Sequence, residues 1–313
     1  MSTILNAAKL GTQSGGRPPA AIEITPEGVL AAVRPSAGQR NRTGVGEAPV
    51  FAFTALPEGA LVPGIDEPNL RAPEVVAEAI RSALDQASPR THAVTLVLPD
   101  TSVRVFVLDF DSLPAKAEEA IPVVRFRLRK MVSFDVEHAG VSYQVLSQNR
   151  SECKVLTAVI PGPILAEYEA AIRAAGYEPG AVLPSSLAAL EMTGPMEAVL
   201  VATVSRQGMT TLIATGEDLL LYRTLDLPLD PAERLAEIQR GIAVAAAYYE
   251  DKLGAPARKL YYAGNREMDE FASWVAEPEL TVVELAPRPA SGIMTALGHE
   301  SIAAVAGALA GVS

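Results

Sequence analysis

The chain has 313 residues, 49% of them hydrophobic and 20% charged, enough apolar sequence for one large two-lobed domain or two ordinary ones, which excludes wholesale disorder. Its net charge of −11, from 26 basic and 37 acidic residues, argues against long-range attraction to nucleic acid or to an anionic membrane. Cys153 is the single cysteine, so no intrachain disulfide can form, and the cytoplasm is the expected compartment.

Residues 1–18 lack the apolar segment of a signal peptide and read as a flexible N-terminal arm. From Ala20 the sequence AAIEI, a turn at Thr25-Pro26-Glu27 and VLAAV read as a hairpin. After a polar linker comes a third strand, VFAFTA, and then a helix opened by Pro73, with Val76, Ile80 and Leu84 at helical spacing. TLVLP is a buried strand, which completes the order strand, strand, strand, helix, strand.

That order returns after residue 198 with AVLVATV, TTLIAT, a turn at Gly216-Glu217, and DLLLYRT. Asp230, Pro231 and Glu233 then start a helix whose apolar stripe runs through Leu235, Ile238, Ile242, Ala246, Tyr249 and Leu253 and stops at Gly254. ARKLYYAG is the following strand. The recurrence is one of pattern and points to a duplicated α/β unit. Between the copies lie a strand, TSVRVFVLDF, a charged helix containing Pro122, two strands, GVSYQVLS and CKVLTAVI, and a helix from about Pro163 to Ala175. The C-terminal SIAAVAGALAGVS is too short and too rich in Ala and Gly to span a bilayer.

Other candidate sites are weak. His92, His138 and His299 are too few and too scattered for a zinc site. Cys153 has no identified base and reads as a small structural residue. Ser185-Ser186 lacks the flanking glycines of a nucleophile elbow and reads as the cap of the next helix. The basic run RFRLRK, Arg125 to Lys130, puts Arg125 and Arg129 on one side of a helix and Phe126 and Lys130 on another, a solvated face or a docking face for an acidic partner. Tyr261 and Tyr262 alternate on a strand, so one should be core and the other surface.

LVLPDTSVRVFVLDFDSLP (Leu96–Pro114), VSFDVEHAGVSYQVL (Val132–Leu146) and VLTAVIPGPILAEYEAAIRAAGYEP resemble the PilM family, the actin-like cytoplasmic proteins of type IV pilus assembly. The resemblance implies an actin-like (ribonuclease H-like) α/β fold with duplicated lobes around a nucleotide cleft and a small inserted α/β module. The corresponding boundaries are 19–114 for the first lobe, 115–182 for the module and 183–313 for the second lobe, with a return to the first lobe at the C-terminus.

The family likeness also identifies where nucleotide chemistry is missing. An actin-like first phosphate loop carries an acidic residue and glycine followed by hydroxyls; this chain has Glu23, Thr25, Pro26 and Glu27, where proline removes an N–H and Glu27 adds negative charge. The second loop should supply an acidic residue for the metal, yet Ala198 to Gly216 contains none, and the turn holds Ser205, Arg206 and Gln207. The paired glycine beside the adenosine is reduced to Gly264.

The resemblance therefore implies a scaffold, a pseudo-ATPase under the inner-membrane platform of a pilus or secretion system, with no catalytic residues, no metal and no resident cofactor. Its implied partner is the cytoplasmic tail of a PilN-like membrane protein, bound where the module meets the first lobe, near Arg125, Arg129, Phe134, Tyr143 and Val145; the alternation of the last three also fits core packing. The pilus motor ATPase and a homo-oligomer are further partner candidates, and contact with the membrane would run through a partner. The alternative is an actin-like ATPase or sugar-kinase relative using ATP and magnesium through atypical loops.

Overall fold

A computed structural model describes residues 17–34, 48–149, 151–193, 198–216, 218–286 and 300–310. The polar linker after Arg34, Glu217 and His299 lie outside them, as do residues 1–16 of the expected arm. Arg17 is not arm-like: it is buried, pairs with Glu191 and donates to the carbonyls of Gly307 and Ala308.

Two five-stranded sheets repeat one topology. The first contains β1 (Ala20–Ile24), β2 (Gly28–Val33), β3 (Val50–Ala55), β4 (Ala93–Leu98) and β8 (Glu178–Pro184), in the order β3-β2-β1-β4-β8. The second contains β9 (Val199–Val204), β10 (Gly208–Thr215), β11 (Asp218–Asp226), β12 (Lys259–Gly264) and β13 (Thr281–Glu284), in the order β11-β10-β9-β12-β13. In each sheet the first three strands are an antiparallel meander and the last two add in parallel. The duplication read from the sequence pattern is the observed architecture, an actin-like fold.

Every residue of β1 and β2 is buried, as strands covered on both faces require. Helix α1 (Pro73–Ala87) packs on β2 and β3 through Val76, Ile80 and Leu84. The C-terminal helix, here α7 (Ala303–Ala310), packs on β1, β2 and β4 and on the short helix α4 (Ser185–Leu190). Its small residues allow the close approach: a Cβ on Gly307 would lie 1.9 Å from the Ala188 carbonyl oxygen. In the second lobe α5 (Pro231–Leu253) starts at Asp230, whose carboxylate accepts from Ala232 N and Glu233 N, and stops at Gly254 with φ +72°. Tyr262 is core, stacked on Phe271 of α6 (Met268–Trp274), and Tyr261 is half-buried.

The module between the lobes is a three-stranded sheet, order β5-β7-β6, made of β5 (Arg104–Phe110), β6 (Gly140–Gln148) and β7 (Cys153–Ile160). It shares a core of its own with α2 (Ala117–Leu128), which includes Leu108, Val124, Leu128 and the buried Cys153. The sheet thus begins at Arg104, ahead of residue 115. Residues 100–102 form a 3-10 turn rather than strand. Helix α3 (Gly162–Ala174), expected within the module, turns Ile164, Tyr168 and Ile172 to the first lobe's core and lies beside α1. A buried Asn69 fixes it there, donating from Nδ2 to Ser102 Oγ (2.8 Å) and to Tyr168 Oη (3.3 Å). Strand β8 completes the first sheet beside β4, so residues 178–184 belong to the first lobe.

The two hairpins share a turn, Thr25-Pro26-Glu27-Gly28 in one lobe and Ser205-Arg206-Gln207-Gly208 in the other. Each glycine N–H donates to the first residue's hydroxyl, and that residue's N–H donates back to the glycine carbonyl. Glycine is required because the third strand runs close by: a Cβ on Gly28 would lie 2.4 Å from the Phe53 ring and 2.5 Å from Thr54 O, and one on Gly208 3.0 Å from Leu225 O. Gly28→Ala should cost about 1–3 kcal/mol in urea denaturation through overpacking. Gly208→Ala should cost somewhat less, and a loss below ~0.5 kcal/mol for Gly28→Ala would contradict the close approach.

Candidate functional site: the interlobe cleft

The two hairpin turns face each other across a cleft. A cavity of about 70 Å³ there is lined by both turns, by Glu23, Pro99, Asp100 and Thr101, by Ser185, Thr203, Thr210 and Thr224, and by Gly264 and Glu300. All seven expected nucleotide positions, Glu23, Thr25, Pro26, Glu27, Ser205, Gln207 and Gly264, are brought together around this one cavity. The space is large enough to hold ordered water.

Asp100 is the carboxylate the sequence reading passed over. It sits at the start of the 3-10 turn, where β4 ends, and accepts from both lobes. From the first lobe Ser186 donates through its N–H (3.1 Å) and its hydroxyl (2.9 Å). From the second, Tyr222 Oη on β11 donates at 3.1 Å and Thr203 Oγ1 on β9 at 3.3 Å. Removal from water pushes the Asp100 carboxyl above the usual carboxylate range despite those donors. The adjoining Tyr222 hydroxyl is raised well above its ordinary value by burial and by Asp100. The signal in the sequence was LPDTS, polar residues directly after a buried strand, where α/β sheets place their functional groups.

Ser185 and Ser186 do not cap α4. Its N-cap is Pro184, with no side-chain cap bond, and the two hydroxyls bond carboxylates of the cleft instead. Ser185 Oγ donates to Glu23 Oε1 at 2.5 Å. Glu23 is only 8% exposed, and burial pushes its carboxyl up to about 7, with Asp100 and Glu27 adding like charge.

All five residues expected at the module face lie on the inserted module. Arg125 donates to the carbonyls of Val136 and Ala139, and Arg129 pairs with Glu137, so both arginines brace the 132–139 loop of their own module. Phe134 and Tyr143 are half-buried against the module's core, and Val145 on β6 is 37% exposed. His138 pairs with Asp135 on the surface and His92 lies beside the Tyr177 ring. Among the described residues no group of three His, Cys, Asp or Glu could hold a metal ion, and no helix is long and apolar enough to cross a membrane.

Among solved structures, a chain of the PilM–PilN type IV pilus biogenesis complex superposes with a TM-score of 0.68 at 18% identity, covering 94% of this chain and 98% of that one. The chain has a PilM-like, actin-like fold. The cytoplasmic domain of EpsL, an inner-membrane component of the type II secretion system of Vibrio cholerae, gives 0.48 at 15% identity over 89% of this chain and 92% of that one. A Bacteroides thetaiotaomicron protein with an actin-like ATPase fold and unknown function gives 0.48 at 11%, over 89% and 94%. No family model matches the chain, and no curated protein matches it by sequence. In this PilM-like chain the actin-like cleft is where the two turns, Glu23 and Asp100 converge.

Two predictions follow from the carboxylates. Between pH 4.5 and about 7 the folded state holds a proton on Glu23 that the unfolded chain has released, so stability is greatest below that window and falls as pH rises through it. Glu23→Gln should leave the melting temperature nearly unchanged at pH 5 and raise stability at pH 8 by up to ~3 kcal/mol; equal effects at both pH values would contradict it. Asp100→Ala removes the acceptor for Tyr222, Thr203 and Ser186 and should cost about 2–4 kcal/mol in urea denaturation. Asp100→Asn, which keeps an acceptor oxygen, should cost less.

Proposed function

We propose that this chain is a non-hydrolysing scaffold beneath the inner-membrane platform of a type IV pilus or a related secretion system, working in the cytoplasm and reaching the membrane through a PilN-like partner. The observation that carries the reading is the engagement of the turn amides that line the cleft. Phosphate binding by such a fold uses backbone N–H groups at the hairpin turns. Here the Gly28 and Gly208 N–H groups are engaged by Thr25 and Ser205, Pro26 has none, and Glu23, Glu27 and Asp100 would face an incoming polyphosphate.

The partner reading rests on the module. β6 is an edge of the three-stranded sheet, with its ladder on β7 only, and Val145 on it is exposed. An extended apolar tail can add to such an edge, taking affinity from main-chain pairing and selectivity from side-chain pockets. Val145 and its neighbour Tyr143 are the contacts, with Phe134 packed behind. Arg125 and Arg129 hold the adjoining loop in place. A second reading, phosphoryl hydrolysis with ATP and magnesium, is favoured by the carboxylate of Asp100 in the cavity. That oxygen pair already accepts four hydrogen bonds, which sets it against metal ligation.

The scaffold should show no saturable thermal shift or calorimetric heat with millimolar ATP and magnesium; ligand at about a hundredfold over its dissociation constant would add ~2.7 kcal/mol of stability. A synthetic N-terminal tail of the cognate single-span protein should bind, and Val145→Asp should weaken it by about tenfold or more without loss of fold. A clear ATP shift supports the hydrolase. Wild-type protein that binds no tail removes the scaffold reading, and an unchanged affinity of Val145→Asp moves the tail off β6.

A further inference from the structure

The donors of the interlobe cleft are engaged, but two of its acceptors are open. The Gly28 and Gly208 N–H groups are bonded within their turns, and the hydroxyls of Ser185, Ser186, Thr203 and Tyr222 donate to carboxylates. Thr101 Oγ1 and Gln207 Oε1 are buried beside the cavity with no hydrogen-bond partner among the described residues. Thr101 is 4% exposed, and an unbonded hydroxyl at such depth is costly. Its placement is fixed from both lobes. The 3-10 turn sets its backbone beside Asp100, and its methyl lies against the second hairpin turn, where a Cβ on Gly208 would sit 2.7 Å from Thr101 Cγ2. Gln207, one residue earlier on that turn, is held by its carbonyl, which accepts from Leu227 N at 2.8 Å. The two open oxygens therefore belong to neighbouring segments of opposite lobes.

The charge around them has one sign. Glu23, Glu27, Asp100 and Glu300 line the cavity, and none of its lining residues is Lys, Arg or His. Water would satisfy the two oxygens but leave that charge unanswered, and a phosphate would meet it as a like charge. A metal ion suits the site poorly, because Asp100 already accepts four hydrogen bonds and no group of three His, Cys, Asp or Glu among the described residues could hold one. What fits is a cation that brings its own hydrogen-bond donors.

We propose that the cleft binds a small primary ammonium ion, R–NH3+, whose three N–H groups donate to Thr101 Oγ1, Gln207 Oε1 and the Glu23 carboxylate. The short alkyl part has the apolar side chains of Pro26, Pro99 and Ala304 to lie against. Thr101 and Glu23 belong to the first lobe and Gln207 to the second, so the ligand adds a second tie across the cleft beside that of Asp100. The inference is independent of the platform reading and of the tail on β6, because it uses residues of the cleft alone.

Calorimetry and thermal unfolding with methylammonium chloride test it, against tetramethylammonium chloride and potassium chloride at equal ionic strength, whose cations carry the same charge and no N–H. Methylammonium should give a saturable heat and a rise in melting temperature with a dissociation constant of about 1 mM or lower, and the other two should give neither. Glu23 is faced by Asp100, Glu27 and the Ser185 hydroxyl, with Glu300 also lining the space, and its carboxyl is pushed up to about 7. Affinity should therefore rise about tenfold between pH 6 and pH 8 as the carboxylate forms. Thr101→Val keeps the methyl that packs on Gly208 and should weaken binding about tenfold at pH 8 with the native circular dichroism spectrum retained. Glu23→Gln should weaken it at least as much and flatten the pH dependence. A wild type that binds no methylammonium, an equal response to tetramethylammonium or potassium, an affinity that is flat from pH 6 to pH 8, or wild-type affinity in either variant would each overturn the proposal.

Discussion

One carboxylate ties the two halves of this molecule together. Asp100 leaves the first lobe's sheet at the end of β4 and accepts hydrogen bonds from Ser186 on its own side and from Tyr222 and Thr203 on the other. A charge in that position is costly to remove from water unless such donors are aimed at it. Its geometry therefore holds β9 and β11 at a set distance from β4 and α4, and this distance is the width of the cleft. The exposed Arg206–Glu58 pair also spans the lobes, at 2.7 Å, but between solvated side chains it adds little.

The cleft is a place where polar groups satisfy one another. The hydroxyl-and-glycine turns close on themselves, Glu23 has Ser185, and Thr210 has Thr224 at 2.9 Å. Thr101 Oγ1 and Gln207 Oε1 are buried without a protein partner and border the small cavity, which suits a few waters. Such a network stiffens the relation between lobes. An actin-like machine that opens and closes on a nucleotide needs the reverse, donors left open until the ligand arrives.

Much of the fold was legible because both lobes obey the same local rules. Apolar runs and turn residues located β1, β2 and β3 within a residue of their ends, and Asp230-Pro231 with Gly254 bounded α5. Ownership was not legible: β5 reads like a continuation of the first lobe, and α3 like part of the module, because a strand's partners and a helix's packing face lie far away in sequence. Of the seven cleft positions the resemblance pointed to, five sit at hairpin turns, Glu23 is on β1 and Gly264 ends β12. Asp100 had only the local signal LPDTS, because its importance comes from Tyr222 and Thr203, more than a hundred residues downstream. Helical phase put Arg125 and Arg129 on one side of α2, but could not say that a loop of the same module would lie against that side.

The position of α7 constrains when this protein can finish folding. The second lobe's sheet is contiguous, from β9 to β13, and has its own core. The first lobe's β1 and β2 need Val305, Ala308 and Leu309 against them, and Arg17 needs the carbonyls of Gly307 and Ala308. During synthesis β1 and β2 wait with apolar surface uncovered until α7 is made, against the usual N-to-C order of domain folding. On the ribosome, the first lobe's core closes only once residues 303–310 have emerged, so a deletion of α7 would damage strands made about 270 residues earlier.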